Sequence, residues 1–361
     1  MDYNKSPLRQ FFTIYDGFLK LFGFSVLQYT QNGFQFSFIG LFCFLLSISY
    51  SIFQSYNILS TTAYMDASVN SAIEKVDKII ALAFAATLIS TIVARFINLS
   101  LNFGLSRRII KVMQLVEELD LMLRKFGTNI SYRKDISVMV IIWTVKSSSI
   151  VFLSFFFPNI TISFDFVYTG FTTYIIIEFY IGIIKLLLMM IIKFKEKLMY
   201  ADEKSQSAMK YQALKITSFI LKLIESINTA FGIQVFVTIF VLLLFGIIMA
   251  YSFISTSGVS IFPVVRLVTI LVYLHYVFLE VSYYGSATYN ELNNLYGVLR
   301  RIYSKHPNNE NLIFLDVNMN AVKYNCGLIN FDWEIIKMVI STEALYYVTL
   351  STFQDILSKK W

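Results

Sequence analysis

Four prolines in 361 residues, with fourteen thinly spread glycines, leave little in this chain that would stop a helix once begun. Cysteine is scarcer still. With only Cys43 and Cys326 there is neither a disulfide framework nor a metal-ligand cluster. The two histidines, His275 and His306, stand too far apart and in too different settings for a zinc or catalytic pair; His275 reads as a hydrogen-bonding group within a helix bundle. No Gly-rich phosphate loop, nucleophile elbow, His-Glu-x-x-His helix or intramembrane carboxylate pair at catalytic spacing occurs. The sequence therefore offers no catalytic residue, no cofactor and no metal site, and an enzyme is the poorest reading of it. Charge is also in short supply, at 15 % of residues against 57 % hydrophobic. Together with a mean hydropathy of +0.64 this excludes an ordinary soluble domain.

What is present in quantity is long apolar runs. Seven are long enough to cross about 30 Å of hydrocarbon at about 1.5 Å per residue. They are roughly 34–56, 79–99, 136–157, 166–192, 231–254, 262–284 and 333–357. They are continuous rather than alternating, which excludes a transmembrane β-barrel. The expected fold class is an all-α polytopic membrane protein of seven transmembrane helices. Before them, Lys5, Arg9, Asp16 and Lys20 interrupt every run that could form a signal-peptide core, and Phe11–Tyr29 reads as an amphipathic helix lying on the membrane surface.

The net charge of +7 invites a nucleic-acid reading, but the basic residues are distributed as a topology signal. The amino terminus and the loops after spans 2, 4 and 6 carry 21 Lys and Arg, against four (Lys75, Lys78, Lys359, Lys360) on the other side. By the positive-inside rule the amino terminus is cytoplasmic and the carboxyl terminus extracellular, with the bilayer and not a nucleic acid as partner. That is upside down for a G-protein-coupled receptor. The inner loops are long and helical in character, over Arg107–Phe126 and Lys193–Glu225. They predict a helical cytoplasmic anchor, together with about 286–332, beneath a single membrane domain spanning 1–361. No internal repeat supports a secondary transporter.

The last span is apolar enough to cross a bilayer yet carries Glu334, Met338, Ser341, Leu345, Thr349 and Thr352 on one helical face. Such a face needs a bundle interior or a water-filled path. Glu343 lies on the other side, expected to point into its own subunit with Arg266 as candidate partner. Lys185 and Arg95 are placed to snorkel toward the cytoplasmic surface. Lys146 and Glu178, deeper and in consecutive spans, fit either a buried structural pair or part of a ligand pocket. Aromatic and hydroxyl groups in the outer halves of spans, among them Phe171, Tyr174, Tyr251, Thr269 and Tyr273, suit a mostly apolar cavity for a small molecule; with Lys146, Glu178 and Arg266 they form the candidate pocket.

The stretch Cys326-Gly327-Leu328-Ile329-Asn330-Phe331-Asp332-Trp333 resembles the lead into the last helix of the insect gustatory receptor family. The family's signature there is Thr-Tyr, five hydrophobic residues, then Gln-Phe. Here Tyr346 and Phe353 match, while Leu345 replaces the Thr and Thr352 the Gln. The resemblance implies a ligand-gated nonselective cation channel in the plasma membrane of sensory neurons, opened by a small-molecule tastant and built from four like or related subunits. It further implies that the last helix, about 333–357, lines the pore through Ser341, Leu345, Thr349 and Thr352, with Thr352 and Phe353 at the gate. An odorant receptor subunit of the same superfamily is the alternative, ahead of a G-protein-coupled receptor or transporter.

Overall fold

A computed structural model describes residues 7–23, 25–30, 33–68, 74–128, 130–154, 160–201, 203–255, 261–304 and 330–359. Within these, the side chains of 58–92, 153–174 and most of 245–274 and 350–359 lie outside the described set. The described residues are almost wholly helical. A short helix α1 (Pro7–Leu21) leads to a hairpin of β1 (Leu27–Thr30) and β2 (Gly33–Phe36), and then to α2 (Phe38–Ser68), α3 (Glu74–Lys125), α4 (Arg133–Ser154) and α5 (Ile160–Met199). There follow α6 (Glu203–Ser255), α7 (Ile261–Ser304) and α8 (Trp333–Lys359). Three segments among the described residues, Phe38–Asn57, Ile175–Met199 and Met209–Leu244, are by length and composition apolar enough to cross a membrane.

The amino-terminal segment differs from the expectation of one surface helix over Phe11–Tyr29. Gly23, at φ 76°, takes a left-handed conformation open to few side chains, and its amide bonds Lys20 O at 2.9 Å to close α1. The chain then turns into the antiparallel hairpin, pairing Leu27 with Phe36 and Thr30 with Gly33. The nearest sequence signal for that hairpin, Asn32-Gly33 between short aromatic stretches, is one residue out of step with the pairing of Thr30 and Gly33 and sits inside a run that otherwise keeps helical spacing. Nor does α1 reserve its apolar face for lipid. Leu8, Phe11, Phe12, Tyr15 and Leu19 are buried among α2, α3, α4 and α5. The first span correspondingly begins at Phe38, where Ser37 caps α2 by accepting the Gly40 amide on its hydroxyl at 3.2 Å.

The scarcity of helix breakers shows in α3, α5, α6 and α7, which run 52, 40, 53 and 44 residues. Their basic ends pack together as a helical base. Buried residues recur there at three and four: Val112, Val116, Leu119 and Leu123 on α3; Ile216, Ile220, Leu223 and Ile227 on α6; Leu292, Leu295, Leu299 and Ile302 on α7. With Met190, Ile191 and Phe194 of α5 they make one continuous core. Polar bonds fix its rim. Tyr132 donates to Asp120 at 2.6 Å, and Arg124 donates to the other Asp120 oxygen at 2.8 Å. Burial, and next the charge on Asp120, push the Tyr132 phenol above its ordinary range, so it remains a donor to that carboxylate. Residues 305–329, part of the expected anchor, lie outside the described residues.

Candidate functional site

Two features stand out from the apolar packing: a buried charge network across α4, α5 and α7, and the uncovered face of α8. In the first, Lys146 of α4 donates to Glu178 of α5 at 2.6 Å and also pairs with Glu280 of α7. Glu280 in turn accepts from Lys185 of α5 at 3.1 Å. Two cations and two anions therefore alternate in one chain of contacts, each side chain 14 % exposed or less. Such a group is tolerable in a low-dielectric interior only because its charges balance and its bonds are made. Aromatic rings complete the lysine environments, Tyr276 at 4.8 Å from Lys146 and Tyr284 at 4.5 Å from Lys185. Tyr15 of α1 donates to the Glu178 carbonyl oxygen at 3.5 Å, tying the amino-terminal helix to the same layer.

This corrects one expectation and extends another. Lys185 does not snorkel away; it is held inside by Glu280. Glu280, which is not among the candidate residues above, joins both lysines. A usable sequence signal exists, because Tyr276, Glu280 and Tyr284 recur at intervals of four on one face of α7.

Helix α8 begins where Asp332 places its carboxylate on the Glu334 amide at 2.9 Å, an N-cap that gives a physical reason for the Asp preceding Trp333. Just before it, Phe331 is buried, with its ring against Tyr180 of α5 at 5.8 Å between centroids. Its carbonyl lies so close to Gly285 of α7 that a Cβ built there would overlap the oxygen. The start of α8 is thus seated on α5 and α7 through a contact that only glycine allows.

Beyond the cap, α8 packs against α6 and α7. Ile335 and Val339 are buried there, and Glu343, one turn on, accepts or shares a proton with His275 of α7 at 2.9 Å. Glu343 therefore points into its own subunit, but its partner is His275. Arg266, the expected partner, lies outside the described side chains. The opposite side is bare. Ser341, Thr349 and Thr352 are exposed, and Leu345 is 66 % exposed. Thr349 and Thr352 donate their hydroxyl protons to the Leu345 and Val348 carbonyls at 2.8 and 2.7 Å, which leaves oxygen lone pairs directed outward. The flank is apolar and equally open, with Ile340 56 % and Val348 58 % exposed.

Of the other candidates, Phe171, Tyr174, Tyr251, Arg266, Thr269, Tyr273 and Phe353 all fall on helices, but their side chains lie outside the described residues. Among the described residues no group of three His, Cys, Asp or Glu could hold a metal ion.

Long helices sharing a base, an amino-terminal helix folded into the bundle and a terminal helix with one open polar face make up a helical bundle with apolar segments long enough to cross a membrane. The 7tm Chemosensory receptor family matches residues 14–356, and the chain belongs to that family. It is a chemosensory receptor and not an enzyme. No curated protein matches it. Among solved structures it is similar to the insect olfactory receptor OR5 from Machilis hrabei, with a TM-score of 0.58 and 13 % identity, over 95 % of this chain and 98 % of that one. For the same receptor in complex with eugenol the TM-score is 0.61 at 12 % identity, over 96 % and 98 %. At these identities the likeness speaks for the fold alone.

Proposed function

We propose that this chain is a subunit of a gustatory-type, ligand-gated nonselective cation channel, with seven spans, a cytoplasmic amino terminus and α8 lining a pore shared by four subunits. The observation that carries this reading is the open face of α8. Ser341, Thr349 and Thr352 cover about 16 Å of a helix that, at 27 residues, is long enough to span a bilayer. Hydrocarbon is a poor neighbour for that face, and among the described residues it stands exposed. Four copies around an axis give it water, with hydroxyl oxygens that replace part of a cation's hydration shell and Leu345 as an apolar constriction. The apolar flanks of the same helix then meet neighbouring subunits.

The tastant, on this reading, enters between the outer halves of α5, α6 and α7, among Phe171, Tyr174, Tyr251, Thr269 and Tyr273, with Arg266 near the mouth. Lys146 and Glu178, already neutralised in the charge network, form the floor of that pocket rather than free handles for a ligand. A small aromatic or apolar molecule is the favoured class, and the eugenol complex of the structurally similar receptor is in keeping with it. Ligand and pore are linked only through a difference in affinity between open and closed arrangements. The plasma membrane of a sensory neuron is the natural setting. The gustatory assignment rests on the Tyr346 to Phe353 motif.

Surface-expressed protein tagged at both ends tests topology and activity together. The amino-terminal tag should stain only after permeabilisation, and the cells should pass cation current. An external amino terminus would revive the G-protein-coupled alternative. At the gate, Phe353→Ala should remove an apolar barrier and raise ligand-independent current per surface channel, while Thr352→Gln should lower it by restoring an amide ring at the mouth. An unchanged basal current in Phe353→Ala would assign that ring to packing between helices.

A further inference from the structure

We propose that the His275–Glu343 contact is the joint through which α7 sets the position of the pore helix, so that these two side chains control the open fraction of the channel. The inference rests on the channel reading above. Three observations carry it.

The first is placement. Glu343 continues the stripe Ile335, Val339, Glu343 by which α8 is seated, so it occupies the seating face and not the open one. Ile335 and Val339 below it make apolar contacts that tolerate sliding, whereas a carboxylate bonded to an imidazole at 2.9 Å fixes both distance and direction.

The second is that the bond is incomplete. Glu343 is mostly shielded, with its side chain 19 % exposed, and its Oε2 bonds His275. Its Oε1 is buried without a hydrogen-bond partner. A shielded carboxylate oxygen left unsatisfied raises the energy of this arrangement, and a shift of α8 that finds it a partner is correspondingly favoured. His275 has its side chain 38 % exposed, at the edge of the seat where such a shift has room. A fully satisfied pair would lock α8; a half-satisfied one can have a competitor.

The third is connectivity. His275 lies five residues from Glu280, whose carboxylate joins Lys146 and Lys185, and ten from Gly285, on which the start of α8 rests. Helix α7 therefore holds α4 and α5 by Glu280 and α8 by both Gly285 and His275. A ligand that moves α7 relative to α4 and α5 moves the seat of α8 with it. His275 also stands two residues beyond Tyr273, a pocket candidate, on the same rigid helix. The joint is a positioning pair, since neither side chain needs to touch ligand or ion.

The test is a double-mutant cycle on gating. His275→Gln, Glu343→Gln and the pair together are expressed as the full chain, and ligand-independent current is recorded and normalised to surface protein. Each single variant should shift the open fraction at least about fivefold in the same direction, and the double variant should shift it no further than either alone. Shifts that multiply, or the absence of any shift, would overturn the joint while leaving the channel intact. Wild type and all variants present at the surface but passing no current would sink the channel reading, and the joint with it. A purely structural bond predicts a third pattern, with non-additive losses of thermal stability in the purified protein and an unchanged open fraction. That too would overturn the proposal.

Discussion

Glu280→Leu should be the most damaging single substitution in the membrane half of the molecule. Removing this carboxylate leaves Lys146 with Glu178 alone and strands Lys185, both well inside the bundle. Breaking a buried pair by deleting one partner costs about 3–5 kcal/mol, because the remaining charge is neither solvated nor neutralised. That is a large part of the stability of a typical folded domain. The expected result is a steep fall in surface protein and a lowered melting temperature in detergent. Lys146→Met combined with Glu178→Met should be much milder. It removes one cation and one anion together and leaves the Glu280–Lys185 bond in place. Equal losses in the two proteins would mean that the network is solvated and that its charges need not balance.

Gly285→Ala is the second large effect, and it acts on a different link of the chain. The added methyl group meets the Phe331 carbonyl oxygen, which is main chain and cannot swing aside as a flexible side chain would. Phe331 is itself clamped by its buried ring against Tyr180, and Asp332, the next residue, caps α8. Relief must therefore displace the start of α8, at a cost of about 1–3 kcal/mol. The same change at Gly297, a little over three helical turns further along α7, is the control. Nothing lies within 4 Å of a Cβ there, and alanine is the better helix former. Gly285→Ala should destabilise the protein and alter current per surface channel, while Gly297→Ala should do neither. Matching behaviour at the two glycines would show that the crossing of Phe331 over α7 has no bearing on α8.

Much of this architecture was legible in the sequence because hydrophobic periodicity and the lack of breakers are local. The continuation of α3, α5, α6 and α7 past their apolar runs follows from apolar residues at helical spacing among Lys and Arg, with almost no Pro or Gly to end them. The polar face of α8 was equally readable, since angles around a helix need no tertiary information. What could not be read was partnership across helices. Lys146 and Glu178 were visible as neighbours in span order, but Glu280 sits 134 residues from Lys146 and reaches it only through the packing of α7 on α5. Glu343 was correctly turned inward by its angle, yet angle alone could not choose between Arg266 and His275 on the same helix. The hairpin over Leu27–Phe36 was missed for the opposite reason. A local turn signal was present, one residue out of step, but the aromatic residues around it fit a helical pattern as well as a strand pattern over so short a run.

The central claim is that ions pass along the open face of α8, and cysteine accessibility in the open channel tests it most directly. Ser341, Thr349 and Thr352 are replaced one at a time by Cys, with Leu350→Cys as the comparison, about 180° from Ser341 around the same helix. A water-soluble thiol reagent applied while the channel conducts should change the current through the first three and leave Leu350→Cys unaffected. Equal reactivity on both sides, or modification at Leu350→Cys alone, would contradict a pore lined by this face.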